Sequence, residues 1–351
     1  MVLTRTAAPA RPQPAAGLAK TQARRGVGLL LCLVLLGVVC LLSIALGTRN
    51  ISPHTVWDAF FHYADTDDQS IVRELRVPRT ILGLLAGVAF GLSGAVIQAV
   101  TRNPLADTQV LGINAGAALF VVVAVGLLGL TNLHQYMWFG FAGVAFALTM
   151  VYLLGSAGRA GATPVRLTLA GIALGAVMDG ISSGIRLIRP RAFDYLRFWD
   201  VGSLAGRPAD VALTIAPFVL AGVLLALLVA RSLNAVALGD DLARTLGASV
   251  GRTRILATVS VMLLTGAATA AVGPIGFVGL MVPHVVRWIV GPDQRWIFVY
   301  TMVLGPVLLL VSDIVGRLVV RPGELRVGVV TAFVGAPVLI WWIRRSRVSG
   351  L

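Results

Sequence analysis

Lysine is almost absent from this chain of 351 residues: Lys20 is the only one, and arginine supplies the rest of its 29 basic side chains. The phosphate-binding loop of an ATPase needs G-x-x-x-x-G-K-[ST], because the lysine of that pattern reaches the nucleotide phosphates. Ala19 stands before Lys20 where the pattern needs glycine, so the chain carries no such loop, and ATP that drives it must be bound by another chain. Cysteine is nearly as scarce, with two residues. Cys32 and Cys40 are eight residues apart in one apolar run, about 12 Å along a helix and too far for a disulfide. Charge of both signs is short as well, at 13% of residues against about 25% in a soluble domain. The four histidines are scattered, with no second ligand at helical spacing from His284. No metal site and no catalytic constellation follows from them, and the chain reads as a non-enzyme that binds no cofactor of its own.

What fills the space is apolar: 57% of the residues, arranged in long runs. A run of about 18 or more apolar residues reads as a membrane-spanning helix. Ten such runs are predicted, at 27–46, 76–100, 109–130, 136–157, 166–188, 211–231, 253–272, 276–290, 295–320 and 326–344. The fold class is therefore an all-α polytopic membrane protein. Residues 1–25, rich in Pro and Ala and basic, are expected to be a disordered tail, with the transmembrane domain over 26–347. The rival for the first run is a cleaved signal peptide, but the run is long for one and Ala45-Leu46-Gly47 is a poor cleavage site. The net charge of +14 raises nucleic acid as a partner, but the arginines sit in loops between spans without a basic stripe interleaved with aromatics. Ten spans put both termini on one side. Placing them in the cytoplasm gives the inner segments the larger basic excess, as the positive-inside rule requires. The outer loop at 186–210, with Arg186, Arg189, Arg191, Arg197 and Arg207, runs against that bias, and a basic mouth of this kind would attract an anionic cargo.

Glycine is the other abundance, with 39 residues. Gly83, Gly87, Gly91 and Gly94 mark one span with a stripe along which another helix can approach closely. Sliding the sequence by 179 residues pairs Gly87 with Gly266, Gly94 with Gly273, Pro104 with Pro283 and Gly112 with Gly291. The matched regions enter the membrane from opposite sides, which is the mark of an inverted repeat. GPIGFVGLMVPH at 273–284 breaks an apolar region and predicts a turn between two spans, with Gly273, Pro274, Pro283 and His284 as structural residues. His284 beside a helix break reads as a backbone-capping donor rather than a metal ligand.

Four groups of residues stand out as candidate sites. In ALGDDLARTLGASVGRT (237–253), Leu238, Leu242 and Leu246 share one face, and Asp240 and Asp241 suit a helix N-terminus. Asp240 and Arg244 form an i,i+4 pair, and Gly247 ends the helix. The segment 238–250 is either an amphipathic helix that docks on a partner or a solvated loop helix. Arg76 and Arg79 flank Pro78 where one span begins, and Arg317 lies where another ends. They are snorkelling interfacial arginines or a docking surface, and Asp313 is placed to pair with Arg317. Asp179 is an ionisable group deep in a span, where charge is costly, so it faces a cavity or a partner. Gly175, Ser182, Ser183 and Arg186 extend this face. It is either a transport lining or a structural ion pair in which Arg186 neutralises Asp179.

RVPR (76–79), TRNPLAD (101–107), LGINAGA (111–117), GPIGFVGLMVPH (273–284) and PGELRVGVVTAFVGAPVLI (322–340) together resemble the FecCD-type permeases, membrane subunits of ABC importers for iron-siderophores, haem and cobalamin. PVRLTLAGIALGAVMDGISSGI, LRFWDVGSL and RPGELRVG are similar to the ferric-enterobactin branch. The resemblance implies the permease fold of that family, with Gly87, Gly94, Asn103 and Pro104 among its structural positions. It also implies a bacterial inner-membrane location and import of a ferric siderophore, with haem, cobalamin or another siderophore as alternatives. Asp240, Asp241, Leu242, Ala243, Leu246 and Gly247 would couple to the ATPase, and Arg76, Arg79 and Arg317 would dock an extracytoplasmic siderophore-binding protein. Gly175, Asp179, Ser182, Ser183 and Arg186 would line the translocation pathway. The implied partners are a second permease subunit (in a heterodimer, or a homodimer), two cytoplasmic ATPase subunits holding ATP and Mg, and the lipid membrane. A secondary transporter using Asp179 and Asp313 as an ion relay is the rival mechanism.

Overall fold

The computed structural model describes residues 21–108, 112–157, 164–189, 196–197 and 199–345. Most of the tail expected to be disordered, and Arg191, lie outside them. No strand occurs among the described residues. The elements are α1 Gln22–Ala45, α2 Pro53–Phe61, α3 Asp67–Ser70 continuing through a π-helical turn Ile71–Arg76, α4 Val77–Thr101, α5 Ile113–Gly126, α6 Leu133–Ser156 and α7 Pro164–Ile188. After them come α8 Ala209–Val236, α9 Asp240–Thr245, α10 Val250–Val272, α11 Val278–Val290, α12 Gln294–Val319 and α13 Val327–Arg345. Seven of these (α1, α4, α6, α7, α8, α10 and α12) are long and apolar enough to cross a membrane, and α5, α11 and α13 are shorter apolar helices. Together they account for the ten runs in the sequence.

The centre of the bundle is α4, which packs against α8, α10, α11 and α12. Ala86, Ala89, Phe90, Leu92, Ala95 and Val96 on all sides of it are buried, as a helix apolar all round must be. Its glycines set how close the neighbours come. A methyl group on Gly87 would lie 2.4 Å from the Cα of Pro306 on α12, and one on Gly94 would lie 2.1 Å from the carbonyl oxygen of Gly279 on α11. TRNP then stops α4. Arg102 caps it in the left-handed region at φ 52°, the Asn103 side chain accepts from the Leu105 N–H at 3.0 Å, and Pro104 disfavours a helical conformation at Asn103. Of the pairs that suggested a repeat, Gly112 and Gly291 both have positive φ, but Gly112 is the N-cap of α5 and Gly291 the C-cap of α11. Gly94 is interior to α4, whereas its counterpart Gly273 terminates α10.

GPIGFVGLMVPH contains the break and the start of the next helix together. Gly273 ends α10 at φ 81°, and Phe277 opens α11 at φ 68°. The 13 residues of α11 span about 20 Å, less than the hydrocarbon thickness of about 30 Å. Irregular backbone therefore reaches into the interior, where only surrounding protein can satisfy it. The turn at 199–206 does so: Ser203 N–H donates to the Val272 carbonyl at 2.8 Å, and the Trp199 indole donates to that of Ala270 at 3.3 Å. Gly328 closes the other side, its N–H donating to the Gly202 carbonyl at 3.2 Å. Three of the segments that carry the family resemblance thus meet in one packed junction.

Pro283 lies inside α11 rather than at its edge. Lacking an N–H, it leaves the carbonyl four residues earlier, that of Gly279, without its helical donor. The Gln98 side-chain amide, reaching across from α4, donates to that carbonyl at 3.0 Å. Gln98→Leu keeps the volume and removes the donor. It is expected to destabilise the fold by about 1–3 kcal/mol, the cost of a buried polar group left unsatisfied, seen as a lowered thermal midpoint in lipid nanodiscs. An unchanged midpoint would mean that another donor serves Gly279.

Candidate functional site

At one end of the bundle, α9 bridges α8 and α10. It is six residues long, shorter than the expected 238–250 helix, because Gly239 at φ 116° and Gly247 at φ 82° bound it. Ala243 is buried with Val236 and Val250, while Leu238, Leu242 and Leu246 are 63%, 49% and 62% exposed. An apolar stripe thus faces away from the bundle. The i,i+4 pair expected between Asp240 and Arg244 does not form. Arg244 pairs with Asp241 at 3.0 Å, and Asp240 takes Arg254 of α10 at 2.9 Å together with Arg102, the cap of α4. Burial works against ionisation of Asp240, but Arg254 and Arg102 hold its carboxyl below the usual range. A second tie secures the residues just before α9. Asn234 donates to Asp293 at 2.7 Å and accepts from the Gln294 N–H at 2.8 Å, joining the end of α8 to the start of α12. Burial opposes ionisation of Asp293 too, yet hydrogen bonds from Arg295 and Asn234 keep its carboxyl low.

The opposite end holds the arginines expected to dock a binding protein. Arg76 donates to the carbonyls of Ile44 at 2.8 Å, Ala45 at 2.6 Å and Arg49 at 2.5 Å. Arg317 donates to those of Ser43 at 2.9 Å and Leu46 at 3.0 Å. Both therefore cap the C-terminal end of α1, where unpaired carbonyls and the negative end of the helix dipole favour cations. Asp313, fully buried, pairs with Arg79 at 2.7 Å and with Arg317 at 3.0 Å. Arg79 also reaches Glu324 at 2.9 Å. The three arginines, with Glu74, Arg207 and Glu324, line one recess of about 680 Å³.

The third group is spread over the edge of α7. Gly175 and Ser182 are buried, whereas Asp179 and Ser183 lie on its exposed side. Ser182 donates to the Met178 carbonyl and Ser183 to that of Asp179, each at 2.8 Å. Arg186 does not form its salt bridge with Asp179. It grips Asp200 of the following turn through both nitrogens, at 2.7 and 3.0 Å, the bidentate geometry that gives the strong guanidinium–carboxylate pair. Burial raises the pKa of Asp200, and Arg186 opposes the shift. His284 is half-buried in α11, edge-on to Trp288 with ring centroids 6.1 Å apart.

Residues 34–345 match the FecCD transport family. The chain belongs to that family. It is 46% identical over 333 residues to the ferric enterobactin transport system permease protein of Escherichia coli (strain K12), covering 95% of this chain and 98% of the relative. It is 40% identical over 320 residues to the iron(3+)-hydroxamate import system permease protein of Bacillus subtilis (strain 168), covering 90% of this chain and 82% of the relative. A solved inward-facing structure of a metal-chelate type ABC transporter superposes with a TM-score of 0.80 at 25% identity, over 91% of this chain and 99% of that one.

In this FecCD chain, sequence reasoning passed over Arg102, Arg254 and Asp200, the partners that decide what Asp240 and Arg186 do. One signal was available: Arg102 stands at the end of a span and Arg254 in the first turn of another, both on the side where the 237–253 segment must lie. Pairing across spans on a shared side, rather than within a helix, would have placed them beside Asp240.

Proposed function

We propose that this chain is the permease subunit of an ATP-binding-cassette importer that carries a ferric siderophore of the catecholate, enterobactin-like type inward. ATP is hydrolysed on separate subunits. The observation that carries this reading is the 46% identity to a ferric enterobactin permease across 95% of the chain. The basic bias of the loops supports a cytoplasmic side for both termini, and with them for the α9 end. Leu242 and Leu246 then face the ATPase, and the recess lined by Arg76, Arg79 and Arg317 faces the binding protein. These arginines already cap α1 and hold Asp313, so their charge reaches a docked partner from a preset geometry rather than from free side chains. The exposed edge of α7 with Asp179 and Ser183 would meet a second permease subunit, leaving the pathway between the two. Ion relay through Asp313 is disfavoured, because two guanidiniums share its carboxylate.

Reconstitution into vesicles with an ATPase subunit, a second permease subunit and a siderophore-binding protein tests this reading. ATP-dependent uptake of ferric enterobactin is expected, with haem and cobalamin as competitors that fail to displace it. Replacing Leu242 and Leu246 together with glutamate should reduce uptake at least tenfold. Uptake that proceeds without ATP, or a cargo order led by haem, would overturn the assignment.

A further inference from the structure

We propose that Asp240, Arg102 and Arg254 form an ionic latch that positions α9 and carries its movement directly into α4, the central helix. The proposal rests on the reading of α9 as the element that meets the ATPase. Among the described residues, the hydrogen bonds that join α9 to membrane-spanning helices all end on Asp240. Arg254 Nη2 donates to both carboxylate oxygens, at 2.9 and 3.1 Å, and Arg102 Nη2 donates to Oδ1. These side chains are 29–39% exposed, and ion pairs at that exposure contribute little to stability. The latch therefore serves alignment rather than folding.

What it aligns follows from the packing. α9 rests on α8 and α10, and its buried residue is small, Ala243. Arg102 belongs to a different part of the fold: it caps α4, whose glycines lie against the backbones of α11 and α12. A displacement of α9 that reached α4 only through α8 and α10 would be taken up by side chains along the way. Through Asp240 it arrives at the end of α4 in one step. The same three residues also line the α9 end of a cavity of about 310 Å³, whose walls include Ile97, Leu148 and Val261. Releasing the latch is therefore expected to expose that cavity.

Asp240→Asn keeps size and removes the charge. In the assembled transporter it should lower ferric-enterobactin uptake per ATP hydrolysed at least fivefold, with Asp240→Glu restoring it. Arg254→Gln added to Asp240→Asn should cost nothing more, since both remove one interaction. With Cys32 and Cys40 replaced by alanine, a Thr258→Cys probe in the cavity wall should react with maleimide faster when Asp240→Asn is present, a readout that needs no ATPase. Unchanged uptake per ATP with unchanged labelling would overturn the latch. So would loss of ATPase co-purification in Asp240→Asn, which would make Asp240 a direct contact. If instead the Leu242 and Leu246 glutamate variant transports normally, the coupling reading of α9 fails, and the labelling result still decides whether the latch holds α4.

Discussion

Asp313→Ala is expected to destabilise the fold by about 3–5 kcal/mol, the cost of breaking a buried ion pair by removing one partner. The carboxylate is fully buried and serves two guanidiniums, at 2.7 Å to Arg79 and 3.0 Å to Arg317. Removing it leaves Arg79 with Glu324 and Arg317 with the hydroxyl of Ser43 and the carbonyls of Ser43, Leu46 and residue 313 itself. Two positive charges then face each other across a cavity the size of the lost side chain. With total stabilities of about 5–15 kcal/mol, a loss of this size should show as a collapse of folded yield and a large drop in thermal midpoint in nanodiscs. Asp313→Asn, which keeps a hydrogen-bond acceptor, should fall between the two. The same pair of variants separates this role from ion coupling. A relay carboxylate changed to asparagine would leave the thermal midpoint in place and alter the ion dependence of uptake, whereas a structural counter-ion does the reverse.

The bilayer made much of this fold legible, because apolar runs of membrane length have few other uses. The ten runs reappear as ten apolar helices, and the glycine stripe of 83–94 reappears as close helix contacts. Legibility ended where an interaction closes over long sequence distance. Asp240 was assigned to Arg244 because local rules see only three or four residues ahead, while its actual partners lie 14 residues on and 138 back. Arg186 likewise left Asp179 for Asp200 once the chain turned after α7. Arg76 and Arg317 were recognisable as arginines at helix ends. That they cap α1 depends on where α1 stops, and nothing local to either arginine encodes that. The length of α9 failed for a different reason: Gly247 was legible as a stop, but the expected 238–250 segment ran past it and past Gly239, and these two glycines with positive φ leave only Asp240–Thr245 helical.

Gly94→Val is the steric counterpart of the Asp313 substitution and is expected to be at least as severe. Added side chains in a core usually cost about 1–3 kcal/mol, because neighbouring side chains and backbone can give way. Here the obstruction is backbone: a Cβ on Gly94 would lie 2.1 Å from the carbonyl oxygen and 2.3 Å from the Cα of Gly279. That carbonyl is also the one Gln98 satisfies, so pushing α11 away breaks the hydrogen bond along with the contact. Nor can α4 retreat, since α8 and α10 pack against it as well, and Ala86, Ala89, Leu92 and Ala95 around it are fully buried. With both helices fixed, the cost should exceed the 4–5 kcal/mol that marks an exceptional substitution, and little folded protein should be recovered from membranes. Gly91→Ala is the informative comparison. Its nearest neighbour is the Thr301 methyl group at 3.1 Å, a side-chain atom able to shift by a few tenths of an ångström. Near-normal yield is expected for it. Equal recovery of the Gly94→Val and Gly91→Ala variants would mean that α4 and α11 do not meet backbone to backbone, and the tie from Gln98 to Gly279 would fail with that contact.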